Sequence, residues 1–435
     1  MDKKELVSFI KEMNSSFIRV AVTDIDGILR GKLMHKDKVL KSLESSFGFC
    51  NVIFGWDSRD DLYAHDSVTG WSTGFPDAQA SLDPSTFRVL PWVGDTPMLL
   101  ADFQPSISAV CPRSILKKIA NEAKELGFEA SFAMEFEWFN FKKEAKSPVS
   151  DGMFGYSLLR SSQFHEYWKQ VFEGLEAAQI PIEGLHTETG PGAMEAALKR
   201  ANALEAADRA VFFKSFIKEI SSQHDILSSF MAKGNADLPG CSGHMHQSLW
   251  NGDSNIFEEE NGKMSKIQEH YLAGLLHGLP ELMPVYAPTI NSYKRLVPGS
   301  WAPTTVSWGV ENRTTALRII KSSSEQSRIE LRVPGSDNNP YLSMAAALAS
   351  GLYGIKNELK LDLKEVKGNA YENKELAKLP SSLKEAVGKM KDSTLANKLL
   401  GESFVSHFVM TREWEILQHE RSVSSWEIDR YFEGI

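Results

Sequence analysis

In the segment SFAMEFEWFNF, Glu135 and Glu137 stand two residues apart between large apolar side chains. The period of two in an extended strand puts both carboxylates on one face and Phe136 and Trp138 on the other. GLHTETGPGAMEAAL repeats the device: His186 and Glu188 share a face, a Gly-Pro-Gly turn follows, and Glu195 falls on the next element. GHMHQSL sets His244, His246 and Ser248 at alternate positions, and SRIELRVP sets Arg328, Glu330 and Arg332 opposite Ile329, Leu331 and Val333. A half-buried antiparallel strand shows polar residues to water as a matter of course. A solvated face, however, mixes Lys, Thr, Ser and Gln, whereas these four faces are almost wholly Glu, His and Arg.

Five Glu and one His gathered in one cavity would repel strongly and take up protons unless cations relieved them. Mostly oxygen ligands with a single imidazole suit Mg²⁺ or Mn²⁺, whereas Zn²⁺ calls for Cys or several His. Guanidinium groups beside such a cluster serve as bidentate clamps for phosphate or carboxylate. Carboxylate-held metals with several Arg are the equipment of phosphoryl transfer, where catalysis is mostly positioning and charge neutralisation. WGVENRTTALRI adds Arg313 and Arg318, whose facing the pattern leaves open; either alone reads more readily as a surface ion-pair partner. No Walker A sequence, GxGxxG or GxSxG occurs, so P-loop, Rossmann and hydrolase-elbow readings lack support.

These residues need a scaffold, and the chain of 435 residues allows two or three domains. MDKKELVSFIKEMNSSF predicts a short amphipathic helix, and FIRVAVTDIDGILRGK predicts two strands around an Asp26-Gly27 turn. CPRSILKKIANEAKELGF predicts a helix stopped at Gly127, and the change of pattern places a domain boundary near residue 107. Helices over FHEYWKQVFEGLEAAQ, ALEAADRAVFFKSFIKEISSQ and PYLSMAAALASGLYGIKNEL follow, alternating at first with strands. APTINSYKRLVPGSWAP, rich in Pro, reads as a rigid loop, and the Lys- and Glu-rich stretch 356–391 as a solvated helical surface. A net charge of -9 offers no general attraction to nucleic acid or anionic lipid. Three isolated cysteines exclude a paired disulfide framework, and neither a secretory signal nor a membrane-spanning run is evident, so a cytoplasmic protein is expected.

Taken in order, DIDGILRGK, the four strands, NSYKRLVPG, ENRTTALRI, RIELRVPGSDNNPYLSMAAALASGL and SVSSWEIDRYFE resemble the glutamine synthetase family over essentially the whole chain. The resemblance implies an α+β molecule: an N-terminal β-grasp domain, residues 1–107, and a catalytic α/β domain with a curved antiparallel sheet, residues 108–435. It also implies stacked rings with each active site between neighbouring subunits, and glutamate, ATP and an amine as substrates. Carried over residue by residue, one metal site would use Glu137, Glu188 and Glu195, and a second Glu135, His244 and Glu330, each taking Mg²⁺ or Mn²⁺. Arg295 and Arg332 match the residues that hold glutamate, with Gly240 offering backbone contact. Arg313 matches the residue that stabilises the phosphoryl group in flight, and His246, Ser248, Arg318 and Arg328 match nucleotide-side positions.

The departures cluster at the acceptor end. Trp301 stands where ammonia-using members carry a Glu that closes the site and deprotonates ammonium; an indole accepts no proton, but its face attracts an alkylammonium. Pro239 and Ala193 replace a common Asn and Gln, and Asp57 is an approximate counterpart of the family's ammonium-site Asp. These changes imply a γ-glutamyl ligase for an organic amine, similar to the γ-glutamylpolyamine synthetase branch. The alternatives are a glutamine synthetase using ammonia, with Trp301 a mere loop anchor, and a non-catalytic assembly of the same fold.

Overall fold

The computed structural model describes residues 1–257, 264–321 and 326–435. Its first sheet has five strands in the order β2-β1-β5-β4-β3: β1 (Phe17–Thr23), β2 (Leu29–His35), β3 (Phe47–Cys50), β4 (Asp77–Leu90) and β5 (Thr96–Phe103). β1 runs parallel to β5 and antiparallel to β2, as in a β-grasp arrangement. The β1–β2 turn is the one the Asp26-Gly27 signal predicts. Gly27 adopts φ +78, and a Cβ there would sit 3.1 Å from the Asn339 side chain, so glycine suits both backbone and space. The Lys3–Glu12 helix, capped by Asp2 with Glu5 answering, lays Leu6 and Ile10 into a core with Ile18, Val20 and Val22.

The second sheet contains ten strands: β6 (Glu129–Lys142), β7 (Ile182–Thr187), β8 (Ala193–Leu198), β9 (Ala201–Asn202), β10 (Ile226–Ser229), β11 (Gly243–Asn251), β12 (Ser254–Asn255), β13 (Trp308–Val310), β14 (Leu317–Ile320) and β15 (Arg328–Leu331). Its main path is β13-β14-β15-β11-β6-β8-β7. One face is apolar because the alternating residues Phe132, Met134, Phe136 and Trp138 of β6 and Met245 of β11 turn into the core. There Phe136 stacks on Phe213 of the Ala203–Gln223 helix at 5.8 Å, and Trp138 meets the same ring edge-on at 5.7 Å. The Pro340–Lys356 helix is apolar on every side and is accordingly buried, packed against the Lys266–Gly278 and Pro112–Glu125 helices. The polar side chains of the same strands are left on the opposite face.

The larger core also takes in Ala21, Leu90, Met98 and Leu100 from the first sheet. Arg113 adds a buried polar tie: its guanidinium reaches Asp83 at 2.8 Å, Asp102 at 2.7 Å and Asp208 at 2.8 Å. Tyr341 donates to the same Asp208.

One expectation is corrected here. The stretch 356–391 is not one helical surface: after Lys356 the chain runs irregularly to Ser382, with a single 3₁₀ turn at Ala370–Glu372, and only Leu383–Lys391 is helical. Gly368 at φ +80 and Pro380 interrupt the helix. The segment is not merely solvated either, because Val366, Ala370 and Leu379 are buried, and the Val366 and Leu379 amides donate to the carbonyls of Trp308 and Thr304.

Candidate active site

Strand register brings the charged residues together. On β11, His244 lies opposite Glu135 of β6 and His246 opposite Glu330 of β15, while Arg318 of β14 faces Glu330 from the other side. His244 Nδ1 stands 3.4 Å from Glu135 and 3.3 Å from Glu330, and His246 Nε2 stands 3.5 Å from the other Glu135 oxygen. Ligand atoms of Glu135, His246 and Glu330 lie within 4.8 Å of one another. Glu330 is 1% exposed. Burial alone would raise its pKa, but His244 and Arg332 outweigh burial and hold it at about 2. Arg332 pairs with it at 2.6 Å and Arg318 at 3.1 Å.

A second group forms at the ends of β7 and β8. His186 Nε2 is 3.1 Å from Glu195, and Nδ1 is 3.8 Å from Glu188. Glu137 is the cross-strand neighbour of Glu195. Burial, aided by the charges of Glu135 and Glu137, raises the Glu195 pKa, and its carboxylate in turn raises that of His186 against the burial of the imidazole.

Both groups fit divalent metals. The buried His244 turns Nδ1 to the Glu135 and Glu330 carboxylates, and its Nε2 has no hydrogen-bond partner among the described residues, so an imidazole stands among close carboxylates. The donors are carboxylate oxygens with few imidazoles, the set that suits Mg²⁺ or Mn²⁺. The grouping differs in detail from the one read in the sequence. His246 as well as His244 adjoins Glu135 and Glu330, His186 accompanies Glu188 and Glu195, and both Glu137 oxygens accept hydrogen bonds from Ser242.

The remaining residues surround these groups. Arg332 donates to the carbonyls of Arg313 at 3.1 Å and Trp301 at 3.3 Å, so one buried guanidinium links Glu330 to both loops. Arg313 itself is exposed, in the turn between β13 and β14. Arg318 is also held by Glu311 at 2.5 Å. Arg295 is buried and donates to the carbonyls of Val333 and Arg332. Gly240 lies against it: a Cβ there would come within 2.6 Å of the Ala232 carbonyl and 2.7 Å of Arg295 Cγ. His246, Ser248 and Arg328 line a cavity of about 440 Å³ with Glu135 and Arg200, and Arg328 Nε lies 3.2 Å from His246 Nδ1. Among the described residues, no contact draws Asp57 into the cluster; its carboxylate accepts from Trp414 at 2.9 Å and from the amides of Arg59 and Asp61.

Tyr156 escapes sequence reasoning. Its ring stacks on His186 at 4.3 Å, it is 72% exposed, and partial desolvation of its hydroxyl together with the charges of Glu188, Glu195 and Glu135 raises its pKa. It lies in an irregular segment without periodicity, so no pattern signals it. Its backbone adopts φ +57, and Trp301, 68% exposed, adopts φ +60. Left-handed backbone at bulky residues is uncommon and marks places where surrounding structure enforces a geometry.

Residues 109–431 match the family model described as glutamine synthetase, catalytic domain. The chain belongs to the glutamine synthetase family. It is an ATP-dependent ligase of the kind that forms carbon–nitrogen bonds, and family members use ATP with divalent metals. The chain is 49% identical to type-1 glutamine synthetase 2 of Dictyostelium discoideum, over 100% of this chain and 87% of that protein. It is 37% identical to the glutamate–isopropylamine ligase of a Pseudomonas species, over 100% and 99%. Among solved structures, a GmaS complex with ADP superposes with a TM-score of 0.87 at 26% identity, covering 98% of this chain and 99% of that one. Glutamate–amine ligases are thus among its relatives within the glutamine synthetase family.

Proposed function

We propose that this protein joins glutamate to an organic amine through γ-glutamyl phosphate. The observation that carries the reading is the contrast between the two ends of the site. The residues read as its metal and phosphoryl end include two close groups of carboxylates and imidazoles, with Arg318 and Arg332 on Glu330, whereas the loop read as its acceptor end presents the exposed Trp301. Glu137, Glu188 and Glu195 would hold one metal, and Glu135, His244 and Glu330 another. When bound, these ions supply charge neutralisation for the ATP phosphates.

Arg295 and Arg332 hold the glutamate carboxylates, with the Gly240 backbone beside them, while His246, Ser248, Arg318 and Arg328 flank the nucleotide. The γ-carboxylate oxygen attacks the terminal phosphorus, the bond to ADP breaks, and Arg313 steadies the charge on the phosphoryl group in transit. The amine nitrogen then attacks the activated carbonyl, phosphate departs with the bonding pair, and the surplus amine proton passes to a base, for which Asp57 is the candidate. Phosphorylation is required because a carboxylate oxygen is otherwise too poor a leaving group. Trp301 offers an aromatic face to the incoming ammonium and bulk to its carbon chain. Residues 1–107 and 108–435 are taken as the two functional units, assembled in rings with shared sites in the cytoplasm.

The second reading, ammonia as acceptor, is favoured by the 49% identity to a type-1 glutamine synthetase. Phosphate release at fixed glutamate and ATP separates the two, using ammonium, methylamine, longer alkylamines, polyamines and aromatic amines. A higher kcat/KM for an organic amine is expected. A clear preference for ammonium overturns the amine assignment, and no turnover across the panel with metal present would favour a non-catalytic assembly.

A further inference from the structure

Glu137 is held in a way that none of the other proposed metal ligands shares. The Ser242 amide donates to one of its carboxylate oxygens at 2.8 Å and the Ser242 hydroxyl to the other at 2.5 Å. The Glu137 amide returns a bond to the Ser242 carbonyl at 2.9 Å. Behind this reciprocal pair, Ser336 places its hydroxyl 2.6 Å from the Glu137 carbonyl oxygen and 2.5 Å from that of Ser242. Ser242 is buried, so water does not readily replace its hydroxyl. An ionised carboxylate offers about four lone-pair sites. Ser242 takes one on each oxygen, which fixes the plane of the group and leaves one on each for another partner.

The direction that Glu137 would take without this bracket is set by charge. Arg295 is buried, its hydrogen bonds go only to carbonyl oxygens in the described structure, and burial lowers its pKa while the nearby Glu137 charge opposes that shift. A guanidinium so placed attracts any carboxylate free to turn toward it. Glu195, its cross-strand neighbour, carries a like charge that repels Glu137.

We infer that Ser242 is a positioning residue that keeps Glu137 directed at the Glu188 and Glu195 group and away from Arg295, so that one side chain guards both a metal site and the glutamate-binding guanidinium. The inference rests on the reading of Glu137 as a metal ligand and Arg295 as a glutamate clamp. Its consequence is a paired defect. Without the hydroxyl, Glu137 leaves the metal group and neutralises Arg295, weakening one metal site and glutamate binding together while sparing the nucleotide side.

The experiment uses the full-length assembled protein, with Mn²⁺ binding followed by the electron paramagnetic resonance of the free ion and KM values measured separately for glutamate and ATP. Ser242→Ala is expected to weaken one of the two Mn²⁺ sites by about 10- to 100-fold, the usual effect of removing a group that orients a ligand. The other site and the KM for ATP stay unchanged, and the KM for glutamate rises. Ser242→Gly, which leaves no methyl group against Glu137, should behave alike, and Ser242→Thr should recover Mn²⁺ affinity because it retains the hydroxyl. Glu137→Gln separates the two layers. If it leaves Mn²⁺ binding intact, the assignment of Glu137 as a ligand fails. If it weakens one site while Ser242→Ala and Ser242→Gly leave both sites and the glutamate KM at wild-type values, the role of Ser242 is refuted. An equal loss at both metal sites and for ATP would also overturn it, since that is the signature of general damage.

Discussion

At the residue scale, the acceptor end and the metal end predict different failures. Glu330 is buried against His244, Arg318 and Arg332, so Glu330→Ala leaves three cationic or polar groups facing one another without their anion. A loss of about two orders of magnitude in kcat/KM, with weakened Mn²⁺ binding, is expected; steady-state phosphate release and Mn²⁺ titration check it. Trp301→Glu should instead leave Mn²⁺ binding in place and shift the ratio of ammonium to organic-amine turnover toward ammonium. An unchanged ratio in the paired assay would show that residue 301 does not set acceptor choice. The residue types of both ends are legible in the sequence because alternation in a strand assigns side chains to faces without reference to the rest of the fold. Contact is another matter: that Arg318 meets Glu330, that His186 meets Glu195, and that Glu137 rests on Ser242 depend on which strands pair and in what register.

At the scale of elements, the Glu402–Arg421 helix carries a pH-sensitive seam. His407 is buried in it, edge-on to Phe54 of the first sheet's core at 6.4 Å, with neither ring nitrogen partnered among the described residues. Burial, reinforced by Arg412, lowers its pKa from 6.5 to about 3. The unfolded chain therefore takes up a proton below 6.5 that the folded chain refuses until about 3, and stability falls as pH drops through that window. The slope approaches about 1.4 kcal/mol per pH unit for one such group. Urea denaturation between pH 7 and 5 should show a shallower loss for His407→Phe than for the wild type; identical slopes would exclude this histidine as the cause. Arg113 tests the other seam. Removing its guanidinium strands Asp83, Asp102 and Asp208 together, so Arg113→Ala should lower unfolding stability by about 3–5 kcal/mol, measurable by the same method.

At the scale of the whole molecule, the placement of Asp57 has the largest consequence. Within one chain it is engaged by Trp414 and by its own loop. If rings with shared sites are the working form, Asp57 serves a neighbour. Co-assembly of Asp57→Ala and Glu330→Ala subunits should then restore roughly a quarter of the sites under random mixing, because some interfaces pair two intact halves. Activity no higher than that of either variant alone would place Asp57 outside the shared site. The sequence by itself determined the elements whose signals are local: the strand faces of SFAMEFEWFNF and SRIELRVP, the Asp26-Gly27 turn, and the wholly apolar helix from Pro340. It misjudged 356–391, where composition suggested a solvated helix but Val366 and Leu379 bond to the carbonyls of Trp308 and Thr304. Only the tertiary structure decided how charges from six segments share one face, why Tyr156 stands against His186, and where Glu137 finds its donor. Those are cross-strand and cross-loop distances between residues far apart in the chain, and no local periodicity encodes them.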